Sequence, residues 1–389
     1  MRVAVVGAGP VGLEAALQAR NAGHEVQIFE CQSVGAQVQS WGKVRMFTPW
    51  SMNVSREAMA FLGQPSLPAN ECPTGEEWAA QYLIPLGRKL GVKEDHRVLG
   101  VARTFHSKGS AIGSKDRWND AFRLLVSHRG AQFYSVADIV LDCSGLSEPG
   151  RAGPGGLAAI GEAELHQKGV LRYGVSDPRP GRWLVVGDGA SACSQVLRLL
   201  AEGAAITWIT RDTTPGFVSP SDDPLPERRV LWRQAAAALE SSRVRLIPGG
   251  VLERLESVQG DHTAILEDGT NIPFDWVAVC TGRKPDLALF RELQVHLCYA
   301  TEGPMRLAAA LLGSGNTDCL SAPMGSVDLL QNPEPGFYVL GSKSYGRRTD
   351  FLVLNGYAQA VQVQQHIELA LDNAHRSYSE AGSRFPERP

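Results

Sequence analysis

Residues 3–16 read VAVVGAGPVGLEAA, and residues 183–196 read WLVVGDGASACSQV. Each stretch runs from an apolar strand through a glycine turn into a helix pattern. In the first, Val3 to Val6 is a short, largely β-branched run of the kind a buried parallel strand carries. Gly7 permits the tight turn, Gly9 lets backbone approach a pyrophosphate, and Gly12 lets the helix pack close to the strand. After Pro10 a helix is expected over Val11 to Ala22, its N-terminal amides pointing at the pyrophosphate, with Gly23 as its stop. A second strand, Glu25 to Phe29, then ends at Glu30. An acid about 20 residues beyond the glycines is where a ribose hydroxyl pair is held. A lone GxGxxG fits any α/β glycine turn. Strand, loop, helix, strand and acid in register argue for a dinucleotide.

The second loop differs where it matters. It carries Gly187, Gly189, Ala190, Ser191 and, in the third glycine position, Ala192. The helix is expected over Ala190 to Ala201, and the next strand, Ala205 to Thr210, ends at Arg211 rather than at an acid. A carboxylate there would repel a 2′-phosphate, whereas a guanidinium binds one bidentately. NADPH is therefore expected over NADH. Asp212 competes for Arg211, and a surface arginine after a strand is the plain alternative. Two such loops imply two nucleotides and electrons passing between them.

Composition narrows the class. The chain has 389 residues, enough for two or three domains with their own cores. A net charge of −3 gives no reason to invoke nucleic acid or an anionic membrane. No run of about 18 apolar residues marks a membrane span. Met1 lies one residue before the first strand, which leaves no room for a signal peptide, and a cytoplasmic location is expected. The seven cysteines (Cys31, Cys72, Cys143, Cys193, Cys280, Cys298 and Cys319) contain no CxxC, and no Cys/His cluster has metal-ligand spacing. Free thiols in small apolar positions are expected, and no metal.

Between the loops, residues 34–54 form an irregular aromatic stretch with Trp41 and Trp50, read as a binding loop or a packed surface loop. Glu76 to Leu90 predicts an amphipathic helix with Trp78, Tyr82, Leu83 and Leu86 inward. Val98 to Phe105 and Ala121 to His128 predict strands around a hairpin loop, Ser107 to Asp120. Ala137 to Asp142 predicts a buried strand ending in Cys143-Ser144-Gly145. Arg151 to Gly156 reads as a linker. Later come a helix over Pro224 to Leu239, short strands to Cys280, the turn Thr281-Gly282, a strand ending at Gly341 and a helix over Asn355 to Leu371.

The order GxGxxG, acid, Ser-Gly turn, GxGxxA, Arg, Thr-Gly-Arg-Lys-Pro-Asp and late strand-end glycine resembles the two-dinucleotide-binding-domain flavoproteins. These include flavin monooxygenases and pyridine nucleotide-disulfide reductases. The resemblance runs nearly to Leu371. It implies an α/β fold of two Rossmann-like domains, the NAD(P)H domain inserted into the FAD domain. FAD would take residues 1–150 and 315–371 and NAD(P)H residues 151–314; the polar composition of 372–389 separately predicts a disordered tail. FAD would contact Gly7, Gly9, Pro10, Val11, Gly12, Glu30, Trp41, Val98, Ser144, Gly145, Gly341 and Ser342. NADPH would contact Gly187, Gly189, Ala190, Ser191, Ala192, Arg211, Thr281 and Gly282.

Departures from the family pattern point away from disulfide chemistry. The disulfide reductases place a cysteine pair soon after the acid or a CxxC in the second nucleotide domain. Here residues 34–41 read VGAQVQSW, and the second domain's helix has Cys193 alone. The family's Gly-Asp before the last helix is replaced by Gly341-Ser342-Lys343. Three readings stand: a monooxygenase acting on a small molecule with O2 through a flavin C4a-peroxide, a reductase passing electrons to a protein, quinone or other acceptor, and a non-catalytic dinucleotide sensor. Arg347 and Arg348, in a segment of cations and hydroxyls after Gly341, are candidate ligands for an anionic substrate. A solvated loop with its charges paired to Asp350 is the alternative.

Overall fold

The computed structural model describes residues 1–63, 67–218, 223–313 and 326–382. Two compact units emerge, Met1–Leu146 together with Pro285 onward, and Ser147–Lys284.

Unit 1 is built on a four-stranded parallel sheet. Its strands are β1 (Arg2–Val6), β2 (Glu25–Phe29), β6 (Ile139–Asp142) and β17 (Phe337–Val339), in the order β17-β6-β1-β2. Strand alternation sends Val3 and Val5 to one face, among Leu13, Leu17 and Ile367 of two helices. It sends Ala4 and Val6 to the other, among Val101, Leu124 and Val126. Those residues belong to an antiparallel sheet of β3 (His96–Arg103), β4 (Phe122–His128) and β5 (Ala131–Ala137). The predicted strand over 137–142 is thus two strands in two sheets. Asp138 makes the change of sheet by accepting the Arg2 amide at 2.9 Å.

The first helix is Pro10–Asn21, with Gly9 extended at its N-cap and Pro10 in its first turn, where the missing N–H costs nothing. It packs against the C-terminal helix Val353–Gly382. That helix runs through most of the stretch expected to be a disordered tail. Its residues past 371 are polar but contain no proline or glycine before Gly382, so nothing in the chain stops the helix. Residues 383–389 lie outside the described residues. The helix expected over 76–90 is Gly75–Trp78, a π-helical turn Ala79–Leu83 and Ile84–Leu90. Pro85 has no N–H for the carbonyl one turn back, and the ladder widens there. Trp78, Tyr82, Leu83 and Leu86 are all fully buried, as the periodicity predicts.

Unit 2 carries a five-stranded parallel sheet, β11-β10-β9-β15-β8. Its strands are β8 (Leu171–Tyr173), β9 (Arg182–Val186), β10 (Ala205–Thr210), β11 (Val244–Pro248) and β15 (Trp276–Val279). The helix Ala190–Ala201 follows β9, as read from the sequence. An antiparallel meander of β12 (Leu252–Val258), β13 (Asp261–Leu266) and β14 (Asn271–Phe274) precedes β15. The short edge strand β8 and the helix Glu162–Gln167 have no counterpart in the sequence reading. Two-residue strands β7 (Glu148–Pro149) and β16 (Arg283–Lys284) pair antiparallel and close the unit.

The boundaries expected at 150 and 314 shift accordingly. After β16 the chain is already in unit 1, where Leu289, Phe290 and Leu293 bury beside Phe337 and Val101. The apolar residues of 287–297 belong to that core, and a linker-composition argument does not detect them.

Candidate functional site

Around the first glycine loop, the geometry shows why each glycine is there. Gly7 adopts φ +100, and a Cβ on it would lie 2.6 Å from the Cys143 carbonyl oxygen. A Cβ on Gly12 would lie 2.0 Å from the Gly7 carbonyl oxygen. Gly9 is different: no protein atom comes within 4 Å of a Cβ built there, although the loop around it is tight. Gly7 and Gly12 serve the packing of strand, loop and helix. Gly9 keeps clear a surface at the N-terminus of the helix Pro10–Asn21, where free amides favour an anion. Val11 packs against Gly341 and Gly356, so the loop, the turn after β17 and the C-terminal helix meet on one side chain.

Glu30, at the end of β2, is buried and faces this loop. Its Oε2 accepts the Ala8 amide at 2.8 Å and its Oε1 the Gln32 amide at 2.9 Å. The Cys31 thiol approaches Oε1 at 3.4 Å. A carboxylate has about four acceptor sites, so one remains for a ligand hydroxyl. Val98 sits on β3, two residues beyond the His96 amide that donates to the Glu30 carbonyl at 2.8 Å. Trp41 packs half-buried against the core beside Trp78, with ring centroids 6.4 Å apart. Trp50 is core and lines an apolar cavity of about 350 Å³ with Val54, Met59 and Leu67; Trp41 is not on that wall.

The ends of β6 and β17 lie side by side, with Val339 opposite Asp142. Beyond them come Ser144 and Gly145 on one chain and Gly341 and Ser342 on the other. Gly341 turns with φ +72. Its amide donates to Gln359 Oε1 at 2.8 Å, and Gln359 Nε2 donates to the Ser344 hydroxyl at 2.9 Å, which fixes the turn to the C-terminal helix. Lys343 points inward, fully buried, with Nζ 2.7 Å from Asp142 Oδ2.

The second loop repeats the plan of the first. Gly187 adopts φ +124, and a Cβ there would lie 2.3 Å from the Cys280 carbonyl oxygen. Gly189 caps the helix with no protein atom within 4 Å of its Cβ position. Ala190 opens the helix, Ser191 is exposed and Ala192 is fully buried, which is why the third position takes a small residue. The Trp208 indole donates to the Gly187 carbonyl at 2.7 Å and stacks on Phe217, bracing the turn. Thr281 and Gly282 are exposed after β15. Arg211 is 86% exposed and touches Asp212 through Nε at 3.3 Å.

The family model for FAD dependent oxidoreductases matches residues 2–376. The chain belongs to that family. A zeta-carotene desaturase of Synechocystis is 30% identical over 117 residues, which is 30% of this chain and a fifth (20%) of that protein. Among solved structures, a bacillithiol disulfide reductase of Bacillus cereus superposes with a TM-score of 0.70 at 17% identity, over 94% of this chain and 99% of that one. A flavin-containing monooxygenase of Stenotrophomonas maltophilia gives 0.60 at 19% identity over 95% and 98%. An ornithine N-hydroxylase of Kutzneria gives 0.61 at 16% over 95% and 99%. At these identities the likeness is one of fold. The protein is an FAD-dependent oxidoreductase with the two-domain flavoprotein fold.

The cations of this oxidoreductase after Gly341 are less available than the sequence suggests. Arg347 makes a bidentate pair with Glu302, both contacts at 2.7 Å. Arg348 makes one with Asp350, at 3.0 and 2.5 Å. Lys343 is committed to Asp142. The structure thus gives each of the three cations a carboxylate partner. Sequence reading found the segment as a cluster of cations but did not foresee that Lys343 is buried. It overlooked Asp142, whose signal is an acid at the last position of a buried strand.

Four of the described thiols are held protonated by their surroundings. Burial and the neighbouring Glu30 carboxylate push the Cys31 thiol up to about 11. Burial pushes Cys280 up to about 12 and Cys143 and Cys193 well above the usual thiol range. Cys298 is lowered, by its hydrogen bond to Thr301. Cys319 lies outside the described residues. Among the described residues no group of His, Cys, Asp and Glu could hold a metal, and no helix is long and apolar enough to cross a membrane.

Proposed function

We propose that unit 1 holds FAD, that unit 2 holds NADPH, and that the protein is a monooxygenase using O2 on a small-molecule substrate. The observation that carries the nucleotide assignment is the pair of loops in which Gly7 and Gly187 are demanded by protein contacts while Gly9 and Gly189 are not. A glycine without a packing reason, at a helix N-terminus, fits a pyrophosphate lying against the backbone. FAD supplies the two-electron and oxygen chemistry when bound. The chain's own residues bind and orient. Glu30 takes a ribose hydroxyl, the amides that open Pro10–Asn21 face the pyrophosphate, and Gly341 and Ser342 line the far side. In unit 2, Ala190, Ser191 and Ala192 present the amides, Arg211 takes a 2′-phosphate, and Thr281 and Gly282 lie at the neighbouring strand end.

Monooxygenation is favoured over disulfide reduction because thiolate, the reactive form, is disfavoured at Cys31, Cys143, Cys193 and Cys280. The deciding experiment reduces the protein with NADPH under nitrogen and then offers oxidants separately. Air-saturated buffer is expected to reoxidise it, with peroxide released in the absence of substrate. A quinone or disulfide that outruns oxygen would overturn this reading in favour of a reductase.

NADPH is expected to reduce the protein better than NADH, through Arg211. Asp212 engages only Nε, so the outer guanidinium nitrogens can meet a phosphate. A charge-assisted contact contributes roughly 1.5–3 kcal/mol, or about tenfold to a hundredfold in affinity. Arg211→Ala should lose that for NADPH and leave NADH nearly unchanged in stopped-flow reduction. Equal loss for both would make Arg211 structural.

A further inference from the structure

We infer that Ser144 is a positioning residue for the ribityl chain of FAD, set as a hydrogen-bond acceptor by the buried Asp142–Lys343 pair. The inference rests on unit 1 being the FAD unit. Strand order gives the direction. Along β2-β1-β6-β17, Glu30 ends β2 and the glycine loop follows β1. If the ribose of the adenosine half is at Glu30 and the pyrophosphate at the loop, the dinucleotide continues over the ends of β6 and β17. Ligands in such sheets lie at the carboxyl ends of the strands. Ser144 is the first residue there that is not buried, and its Cα lies 3.0 Å from a Cβ built on Gly7, directly against the loop. In FAD the next group after the pyrophosphate is a polyol, which offers hydroxyl donors.

The hydrogen bonds around Ser144 leave it one role. Its hydroxyl donates to Asp142 Oδ1 at 2.6 Å, which uses its only proton. It accepts from Lys343 Nζ at 3.0 Å, which uses one lone pair. The remaining lone pair can only accept. Asp142 is held in turn by Lys343 at 2.7 Å and by the Ser144 amide at 3.1 Å. Lys343 Nζ also lies 5.0 Å from the centre of the Phe290 ring. Asp142 is 0% and Lys343 1% exposed, so neither charge reaches a ligand. The pair orients a neutral hydroxyl at the strand end.

The test measures FAD affinity of Ser144→Ala and of Ser144→Cys, whose thiol is a weak acceptor, against wild type. FAD is compared with FAD analogues lacking the 2′, 3′ or 4′ ribityl hydroxyl. Flavin fluorescence quenching gives Kd, and melting of the apoproteins reports folding. Both variants are expected to bind FAD about tenfold more weakly, the loss of one hydrogen bond. One deoxy analogue should bind wild type about tenfold more weakly and the variants no more weakly than FAD itself. Such coupling does not arise from a purely structural serine. Unchanged FAD affinity in the folded variants, or an equal loss for FAD and all three analogues, overturns the inference. A wild-type protein that binds no FAD would instead overturn the unit 1 assignment.

Discussion

Gly9→Val is expected to abolish FAD retention while the apoprotein melts where the wild type does. No protein atom lies within 4 Å of a Cβ at Gly9, and its φ of −76 and ψ of −179 suit any residue. The cost to the fold is that of a poorer N-cap, within about 1 kcal/mol. The cost to the nucleotide is steric, because the new side chain fills the surface the pyrophosphate must touch. A loss of more than about a hundredfold in affinity is expected, equivalent to more than about 2.7 kcal/mol. Gly12→Ala makes the contrast. Its Cβ would sit 2.0 Å from the Gly7 carbonyl oxygen and 3.2 Å from the Cys143 Cβ, so fold and FAD should fail together. Flavin absorbance of the purified protein and apoprotein melting separate the two outcomes. A Gly9→Val protein that purifies yellow, with Kd within about threefold of wild type, would remove the pyrophosphate from this loop.

Glu334→Ala is expected to cost unit 1 about 3–5 kcal/mol, the penalty for stranding buried charge. Glu334 accepts from Arg103 Nε at 2.7 Å, Arg117 Nη2 at 2.6 Å and the Gln294 amide at 2.9 Å. Arg103, Arg117 and Glu334 are 5%, 0% and 1% exposed. Arg103 also donates to the carbonyls of Asp120 and Pro335, so the cluster ties the loop after β3 to the residues just before β17. The melting temperature should fall by on the order of 10 °C. Burial alone would raise the Glu334 carboxyl, but hydrogen bonds from Arg117, Gln294 and Arg103 outweigh it and hold it below its usual 4.5. A depressed acid stabilises the fold above its unfolded pKa and loses that contribution as pH falls through its folded pKa. The wild type should therefore lose part of its stability below about pH 4.5, and the variant should show less of that acid dependence. A variant that melts within about 2 °C of wild type would mean that water reaches the two arginines.

Both strand-glycine-helix units were legible in the chain because most of each is local. Strand, turn glycine and helix N-terminus lie within a dozen neighbouring residues, although the carbonyls that demand Gly7 and Gly187 come from Cys143 and Cys280, far along the chain. The helix Ala190–Ala201 and strand Ala205–Thr210 were read with their observed bounds, since periodicity and a capping glycine mark them. The inward face of residues 76–90 was also legible, because four large side chains keep helical spacing even across the π turn.

What only the tertiary structure decided concerns partners far apart in sequence. Lys343 reads as one of three loop cations, and nothing near it announces Asp142, 201 residues earlier. Arg347 finds Glu302, and Arg117, inside a stretch that looks like a hairpin loop, finds Glu334. The edge strand β8 is three residues long, too short for a periodicity, and exists because β15 offers it a parallel edge. The return to unit 1 at Pro285 is set by where Leu289, Phe290 and Leu293 can be buried, beside Phe337. Backbone turns and helix starts are local consequences of glycine, proline and periodicity. Whether a charge is a ligand, a surface group or a buried brace depends on which chain segments the core brings beside it.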